Sequence, residues 1–401
     1  MTTRRPVLIL TYVYPPDSEI GAWRAYRFSK YLSRLGHPVR VLSSTTGTKS
    51  VEQDNIFRIP GKIPGDPRKL AIYTDLALRL MFFYDAGIVW VPGAARYAAR
   101  WMKETPQPVV ISTSPPIHTH LVAWWLKKRY GVRWIADFRD PMRDNLSRKA
   151  SRSRHFDPFF ERRIIGGADV VVANTDPVLA LWKERYPEFA HKIRVLPNGF
   201  DPEDFQAIPA PPARDSKLIT HVGSVYAGRD PMYMLRAVHR LIEKGRLAPD
   251  RLHIAFYGDM PPSILSEETF QRLLETGCVS HNPARPDKQR SEQIMRDSDV
   301  LLVLDVMEKN PLHVPAKVYF YVRTGRAIVA FTRKNSPTEH ILKESGVPYV
   351  CLHPEDSEEQ LEAGVLQAVS FPSGLHKPSH VFLDTYDASR QAEILSEWIK
   401  G

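Results

Sequence analysis

The sequence predicts an α/β protein made of two successive Rossmann-like domains, each on a parallel sheet, facing each other across a cleft. Three observations carry this. Short β-branched apolar runs alternate with helical segments through the first half, the alternation restarts after a Pro-rich stretch, and several runs are apolar without an in–out alternation. Unbroken apolar strands suit a sheet covered by helices on both faces. At 401 residues the chain also exceeds what one core ordinarily holds, so two domains are the natural division.

In the first half, the runs Val7–Leu10, Val39–Leu42, Ile88–Val91, Val109–Thr113, Trp134–Ala136, Val170–Ala173 and Ile193–Leu196 read as strands. Between the first two, Ala25, Phe28, Leu32 and Leu35 share one helical face, and Gly36 sits where a C-terminal cap belongs. The stretch Ile208-Pro-Ala-Pro-Pro-Ala-Arg-Asp-Ser216 has the composition of a stiff, exposed linker. Beyond it, Leu218–Val222, Leu252–Tyr257, Gly277–Val279, Val300–Val303, Ala327–Phe331 and Tyr349–Cys351 read as strands. Asp230 and Pro231 open a helix that carries Leu235, Val238, Leu241 and Ile242 on its inner face and ends at Gly245. Ser336-Pro337-Thr338-Glu339 has capping-box spacing. The boundaries are therefore 1–207, a linker over 208–216, 217–385, and a C-terminal helix over 386–401 able to pack back toward the first domain.

Composition narrows the function classes. Hydrophobic residues at 43% and charged residues at 25% are those of a globular protein. No apolar run approaches the length of a membrane-spanning helix, and the run after Arg5 is too short for a secretory signal. Two cysteines, Cys278 and Cys351, form neither a disulfide framework nor a metal-ligand pattern, which fits a reducing, cytoplasmic setting. The net charge of +10 can serve a phosphate-bearing substrate or the anionic inner face of a membrane. Its Lys and Arg residues are scattered, the densest run being Arg143 to Arg154, and no nucleic-acid-binding motif accompanies them.

Several segments carry chemistry. Tyr14-Pro15-Pro16 leads through Gly21 to Arg24 at a helix start, where a backbone without a Cβ lets a phosphate approach. Thr113-Ser114-Pro115-Pro116-Ile117-His118-Thr119-His120 and Trp134-Ile135-Ala136-Asp137-Phe138-Arg139-Asp140-Pro141 both follow strands, at the carboxyl edge where such sheets bind ligands. Pro197-Asn198-Gly199-Phe200-Asp201, with Phe205 behind it, permits a tight turn as the chain leaves one sheet for the other. His221-Val222-Gly223-Ser224-Val225-Tyr226-Ala227-Gly228-Arg229 is an open loop with a guanidinium just ahead of a helix. Val314-Pro315-Ala316-Lys317 begins a helix that carries Tyr321 and ends at Gly325.

Together these segments resemble glycosyltransferase family 4, a retaining family of GT-B fold. The Ser-Pro-Pro and Asp-Phe-Arg-Asp-Pro loops look like one subgroup of it. The resemblance implies an N-terminal acceptor-side domain, a C-terminal nucleotide-sugar-binding domain, and hexosyl transfer from a nucleotide-sugar such as a UDP-sugar onto a sugar or lipid-linked acceptor. It also implies a place in polysaccharide or glycoconjugate biosynthesis, and catalysis with neither metal nor cofactor. His120 matches the cleft histidine, with His118 as the alternative. Asp140, Arg229 and Lys317 complete the implied catalytic set. Gly21, Arg24, Gly223, Ser224, Tyr226, Gly228 and Tyr321 would join Arg229 and Lys317 around the donor. His118, Asp137 and Arg139 would face the acceptor, although an internal Arg–Asp bridge fixing that loop is an equal reading.

One departure stands out. The family commonly carries two glutamates eight positions apart near this last helix, which contact the donor's sugar and its ribose. Here the matching positions are Leu312 and Phe320, and neither side chain can accept a hydrogen bond. Either ribose recognition has moved, with Glu308 and Glu339 as available acids, or activity is impaired. The alternatives are then a non-catalytic sugar-nucleotide or assembly protein, and a sugar-nucleotide 2-epimerase.

Overall fold

A computed structural model describes residues 4–17, 20–47, 49–61, 86–143, 156–204, 211–226, 228–305 and 311–401. The chain divides into two compact units, Met1–Asn198 together with Ala388–Gly401, and Gly199–Asp387. Residues 208–210 of the Pro-rich linker, Phe205, Glu308 and most of the basic run after Arg143 lie outside the described residues.

The N-terminal unit contains β1 (Val7–Leu10), α1 (Ile20–Arg34), β2 (Val39–Thr45), β3 (Val51–Gln53), β4 (Ile56–Pro60), α2 (Trp90–Glu104), β5 (Val109–Ser114), α3 (His118–Tyr130) and β6 (Arg133–Phe138). Then come α4 (Asp157–Gly167), β7 (Val170–Ala173), α5 (Asp176–Arg185) and β8 (Ile193–Val195). Its sheet runs β3-β4-β2-β1-β5-β6-β7-β8. All neighbours are parallel except the β3–β4 pair. The helix α1 is amphipathic, with Ala25, Phe28 and Leu32 buried and Gly36 at a φ of 88° just beyond its end. A Cβ is disfavoured at that angle, so glycine closes the helix at low strain.

The C-terminal unit contains β9 (Lys217–Val222), α6 (Met232–Glu243), β10 (Leu252–Tyr257), α7 (Pro262–Leu265), α8 (Glu268–Glu275), β11 (Val279–Asn282), α9 (Lys288–Asp297) and β12 (Val300–Leu304). It continues with α10 (Lys317–Arg323), β13 (Ala327–Phe331), α11 (Pro337–Glu344), β14 (Tyr349–Leu352), α12 (Glu358–Ser370) and α13 (His380–Tyr386). The sheet order is β11-β10-β9-β12-β13-β14, parallel throughout. The chain starts in the middle, winds to one edge, returns and winds to the other. That reversal beside β9 is where doubly wound sheets open a ligand crevice at their carboxyl ends. Helix starts follow local chemistry: Ser336 Oγ accepts from the Glu339 backbone N–H at 3.1 Å, and Glu339 Oε2 accepts from the Asn335 N–H at 2.6 Å.

The final helix, α14 (Ala388–Lys400), belongs to the N-terminal unit. Its Leu395 and Ile399 share a core with Val7, Ile9, Val109, Ile111 and Ile135.

Two elements differ from their sequence reading. Ile88–Val91 is helical, a 3-10 turn over Ala86–Val89 running into α2. A four-residue apolar run cannot by itself separate strand from helix. The decisive pattern is Trp90, Ala94, Ala98 and Met102, buried every fourth residue. The short hairpin β3–β4 carries mixed polar residues and left no apolar run to find. In addition, β11 begins at Val279 rather than Gly277, whose φ of 73° belongs to the turn before it.

One buried ion pair fixes α1 to the sheet. Arg24 donates through Nη2 to Asp137 Oδ1 at 2.7 Å and through Nε to Asp137 Oδ2 at 3.0 Å. Its remaining N–H groups reach the carbonyls of Leu196 at 2.8 Å and Pro197 at 2.7 Å. Both charged side chains are 2% exposed. Removing one partner leaves an uncompensated buried charge, so Asp137→Ala is expected to cost roughly 3–5 kcal/mol of stability. Urea unfolding of the purified variant measures it, and a loss under about 1 kcal/mol would count against the pair as a structural tie.

Candidate functional site

In the C-terminal unit, the carboxyl ends of β9 and β10 carry the loops of interest. Gly223 follows β9 at a φ of 115°, and its N–H donates to the Tyr257 carbonyl at 2.7 Å. Gly258 follows β10 at a φ of 119°, and a Cβ there would stand 2.8 Å from the Gly223 carbonyl carbon. The glycine at 258 is what lets these backbones approach so closely. Beyond them, the Val225 N–H donates to the Asp259 carbonyl at 2.8 Å and Ser224 Oγ donates to Asp259 Oδ2 at 3.4 Å. The Arg229 N–H closes a turn onto the Tyr226 carbonyl at 2.9 Å. Ala227, inside that turn, lies outside the described residues. The Arg229 guanidinium stacks over the exposed Tyr226 ring, 4.3 Å from its centroid, which holds the arginine without neutralising it.

Lys317 is the first residue of α10. Its Nζ lies 3.0 Å from His221 Nε2, and a Cβ on Gly223 would meet it at 3.2 Å. Burial lowers its pKa well below the ordinary lysine value, and the neighbouring Arg229 and Arg285 lower it further. Among the described residues, Arg229, Lys317 and Arg285 have no carboxylate partner. Cations held together without an acid suit an anion, and nucleoside diphosphates supply one. Tyr321, one turn along α10, is buried and accepts from the Val222 N–H at 3.0 Å. It braces the end of β9 beneath the loop. Burial raises its pKa. Leu312 and Phe320, the positions where the resembling family places acids, are both half-buried. Arg285 was not singled out by the sequence, since it sits in the loop Pro283–Pro286 with no motif around it.

In the N-terminal unit, Arg139 organises the carboxyl edge. Its Nε donates to the Ser114 carbonyl at 3.1 Å, its guanidinium also reaches the Pro115 carbonyl, and its own carbonyl accepts from Asn174 Nδ2 at 3.0 Å. The same guanidinium occupies the space where a Cβ on Gly21 would stand. The glycine's openness therefore accommodates Arg139. Arg24, read as a donor-side group, has its guanidinium taken up by Asp137 and backbone carbonyls. Asp137 also accepts from Thr113 Oγ1 at 2.7 Å, so it turns inward, paired with Arg24. Asp140 is half-buried at the end of this loop. His118 is buried, its ring 5.9 Å from that of Tyr12.

His120 is fully buried. Its Nδ1 pairs with Ser112 Oγ at 2.7 Å, the same oxygen accepts from Trp134 Nε1 at 2.7 Å, and its ring lies 4.3 Å from Phe138. Burial lowers its pKa to about 3, so the imidazole is neutral at physiological pH. Among the described residues, no group of three His, Cys, Asp or Glu side chains has the arrangement to hold a metal ion.

Comparison with known proteins agrees with this architecture. Residues 21–204 match the family model described as Glycosyltransferase Family 4. A D-inositol 3-phosphate glycosyltransferase from Corynebacterium urealyticum is 28% identical over 169 residues, covering 37% of this chain and 37% of that protein. Among solved structures, a UDP-forming α,α-trehalose-phosphate synthase from Burkholderia vietnamiensis aligns with a TM-score of 0.66 at 13% identity, over 99% of this chain and 98% of that one. Sucrose-phosphate synthase from Thermosynechococcus elongatus aligns with a TM-score of 0.63 at 12% identity, over 99% and 96%. Anabaena Alr3699/HepE in complex with UDP and glucose aligns with a TM-score of 0.61 at 12% identity, over 98% and 99%. The shared fold is GT-B.

The buried imidazole of His120 makes the N-terminal unit acid-sensitive. In the unfolded chain it takes up a proton as pH falls through its ordinary value of 6.5, whereas in the folded unit it does so only near 3. Its contribution to stability is thus complete above pH 6.5 and lost as pH falls toward 3. His120→Asn, which cannot titrate, is expected to flatten the fall in unfolding free energy across that window. Denaturant titrations at several pH values check this, and an unchanged slope would contradict it.

Proposed function

We propose, for a chain whose residues 21–204 match the model of Glycosyltransferase Family 4, that the C-terminal unit holds a nucleotide-sugar by its diphosphate and that the protein transfers the sugar to an acceptor hydroxyl with retention of configuration. The observation that carries this reading is the grouping of Arg229, Lys317 and Arg285, with no acid partner among the described residues, beside Gly223, which keeps a side chain away from Lys317 Nζ. Proteins of similar fold support this in kind: one was solved with UDP and glucose, and another is a UDP-forming synthase.

In the proposed reaction the bond from the sugar C1 to the donor's phosphate oxygen breaks, giving an oxocarbenium-like state. The acceptor oxygen bonds to C1 on the face the diphosphate leaves, and the hydroxyl proton passes to the departing phosphate oxygen. Negative charge grows on that diphosphate as the bond breaks, and cations already in place stabilise it with little reorganisation. Arg229 and Lys317 have that role. His120 and Asp140 are the residues of the N-terminal unit offered to the acceptor side by resemblance. His120, neutral and buried, would act by shaping the loop that follows β5. The acceptor class is a sugar or lipid-linked sugar, used in polysaccharide or glycoconjugate synthesis at the cytoplasmic face of a membrane. No helix among the described residues is long and apolar enough to cross a membrane. Exposed Trp125 and Phe159, with Arg163 stacked on Phe159 at 4.3 Å, offer an aromatic and basic surface for peripheral contact.

A second reading follows from Leu312 and Phe320. With apolar side chains where ribose- and sugar-binding acids are common in the family, the protein would bind a sugar nucleotide without turning it over. Release of nucleoside diphosphate from any donor, even by slow hydrolysis, would reject that reading.

Thermal shift against UDP, GDP and their sugars tests the proposal, because a ligand that binds the folded state raises apparent stability. Arg229→Ala and Lys317→Ala should each weaken the best nucleotide about tenfold or more, the scale of a lost charge-assisted hydrogen bond. Diphosphate favours the ammonium form, so wild-type affinity should fall as pH rises through the depressed pKa of Lys317. Absence of binding at millimolar nucleotide would sink the proposal.

A further inference from the structure

His221 is the penultimate residue of β9, between Thr220 and Val222, and it is fully buried. Its Nδ1 lies 2.9 Å from the Leu302 carbonyl on the neighbouring strand β12. A carbonyl can only accept, so Nδ1 carries the proton and Nε2 presents a bare lone pair. That lone pair lies 3.0 Å from Lys317 Nζ, which in its ammonium form can only donate. The Gly223 backbone also stands near the ring, but with Nδ1 donating to Leu302 and an ammonium at Nε2, the lysine donates to the histidine and the histidine donates to the strand. Other titratable groups near the ammonium serve differently. Arg229 and Arg285 repel it, and the Tyr321 hydroxyl is engaged by the Val222 backbone. Asp259, beyond Gly258, is engaged by Ser224.

Building on the reading of Lys317 as a diphosphate ligand, we propose that His221 is its positioning residue: a neutral imidazole, locked by the Leu302 carbonyl, that accepts from Lys317 and aims the ammonium past Gly223 toward the loop bearing Arg229. An uncharged acceptor suits this task better than a carboxylate. It holds the side chain in one rotamer yet leaves the full positive charge for an incoming anion, whereas a carboxylate would compete with that anion. Burial and the adjacent lysine both lower the pKa of His221, which keeps the ring neutral beside the cation.

Two substitutions separate the contacts. His221→Asn keeps a donor near the Leu302 carbonyl but withdraws the acceptor from Lys317, while His221→Gln offers an amide oxygen near the former Nε2. With UDP as the probe in calorimetry, H221N should weaken binding about tenfold, the scale of one charge-assisted hydrogen bond, and H221Q should recover a large part of it. In a Lys317→Ala background the same H221N change should alter UDP affinity less than about twofold, since its effect runs through the lysine. Independently of nucleotide, the pH dependence of Lys317 acetylation by acetic anhydride, read by mass spectrometry, should move to lower pH in H221N and back in H221Q, because loss of the acceptor disfavours the ammonium. Equal weakening by H221N in both backgrounds, or an unmoved labelling profile, would overturn the proposal. If wild-type protein bound no nucleoside diphosphate while the labelling profile shifted, the functional reading would fail and the His221–Lys317 pair would stand.

Discussion

Lys317 meets an imidazole where a half-buried ammonium would ordinarily meet a carboxylate, and much of the C-terminal unit's chemistry depends on that choice. Paired with Asp or Glu, the lysine would be a structural tie. Paired with neutral His221, at 3.0 Å, and facing Arg229 and Arg285, it carries a charge that the fold does not cancel. The surrounding backbone is arranged to tolerate this. Gly223 withholds a side chain from the space beside Nζ, Gly258 lets the Gly223–Ser224 backbone approach, and Tyr321 ties the end of β9 through the Val222 N–H. A site prepared in this way gains most from a ligand that brings two or more negative charges, because the repulsion among the cations is relieved when it arrives.

Cations in the N-terminal unit are used differently. Arg24 is spent on Asp137, Arg139 on the carbonyls of Ser114 and Pro115, Lys127 on Asp169 at 2.8 Å, and Lys192 on the carbonyls of Gly166 and Ala168 at 2.7 Å. These bonds join segments distant in sequence, and those of Arg139 tie the start of the loop after β6 to the end of β5. The positive net charge of the chain is therefore not one field with one purpose. Part of it is structural and internally satisfied, and part is held open.

How much of this was legible in the sequence depends on the range of the interactions involved. Buried parallel strands announce themselves as unbroken apolar runs, so β1, β5, β7, β9, β12 and β13 were visible, as were helix starts at Asp230 and Ser336 whose caps lie within three residues. The run Ile88–Val91 misled because four apolar residues fit either period, and the buried alanines that settle it come later. The Arg24–Asp137 pair spans 113 residues, and no local pattern joins its partners. Arg24 was accordingly assigned to the loop it follows. Arg285 sits among prolines and charged residues that look alike from outside. His221 did leave a signal, a titratable residue inside an apolar strand, and such a residue calls for a partner.

Because α14 completes the core of the unit that contains β1, the C-terminal unit is topologically an insertion within the N-terminal one. During synthesis, Val7, Ile9 and Ile135 leave the ribosome long before Leu395 and Ile399, the side chains that cover them. The inserted unit can finish folding first, while the earlier-made sheet waits with an uncovered apolar face. A stop codon shortly before Ala388 would spare the segments that carry Gly223, Arg229 and Lys317 and still strip the other unit of part of its core.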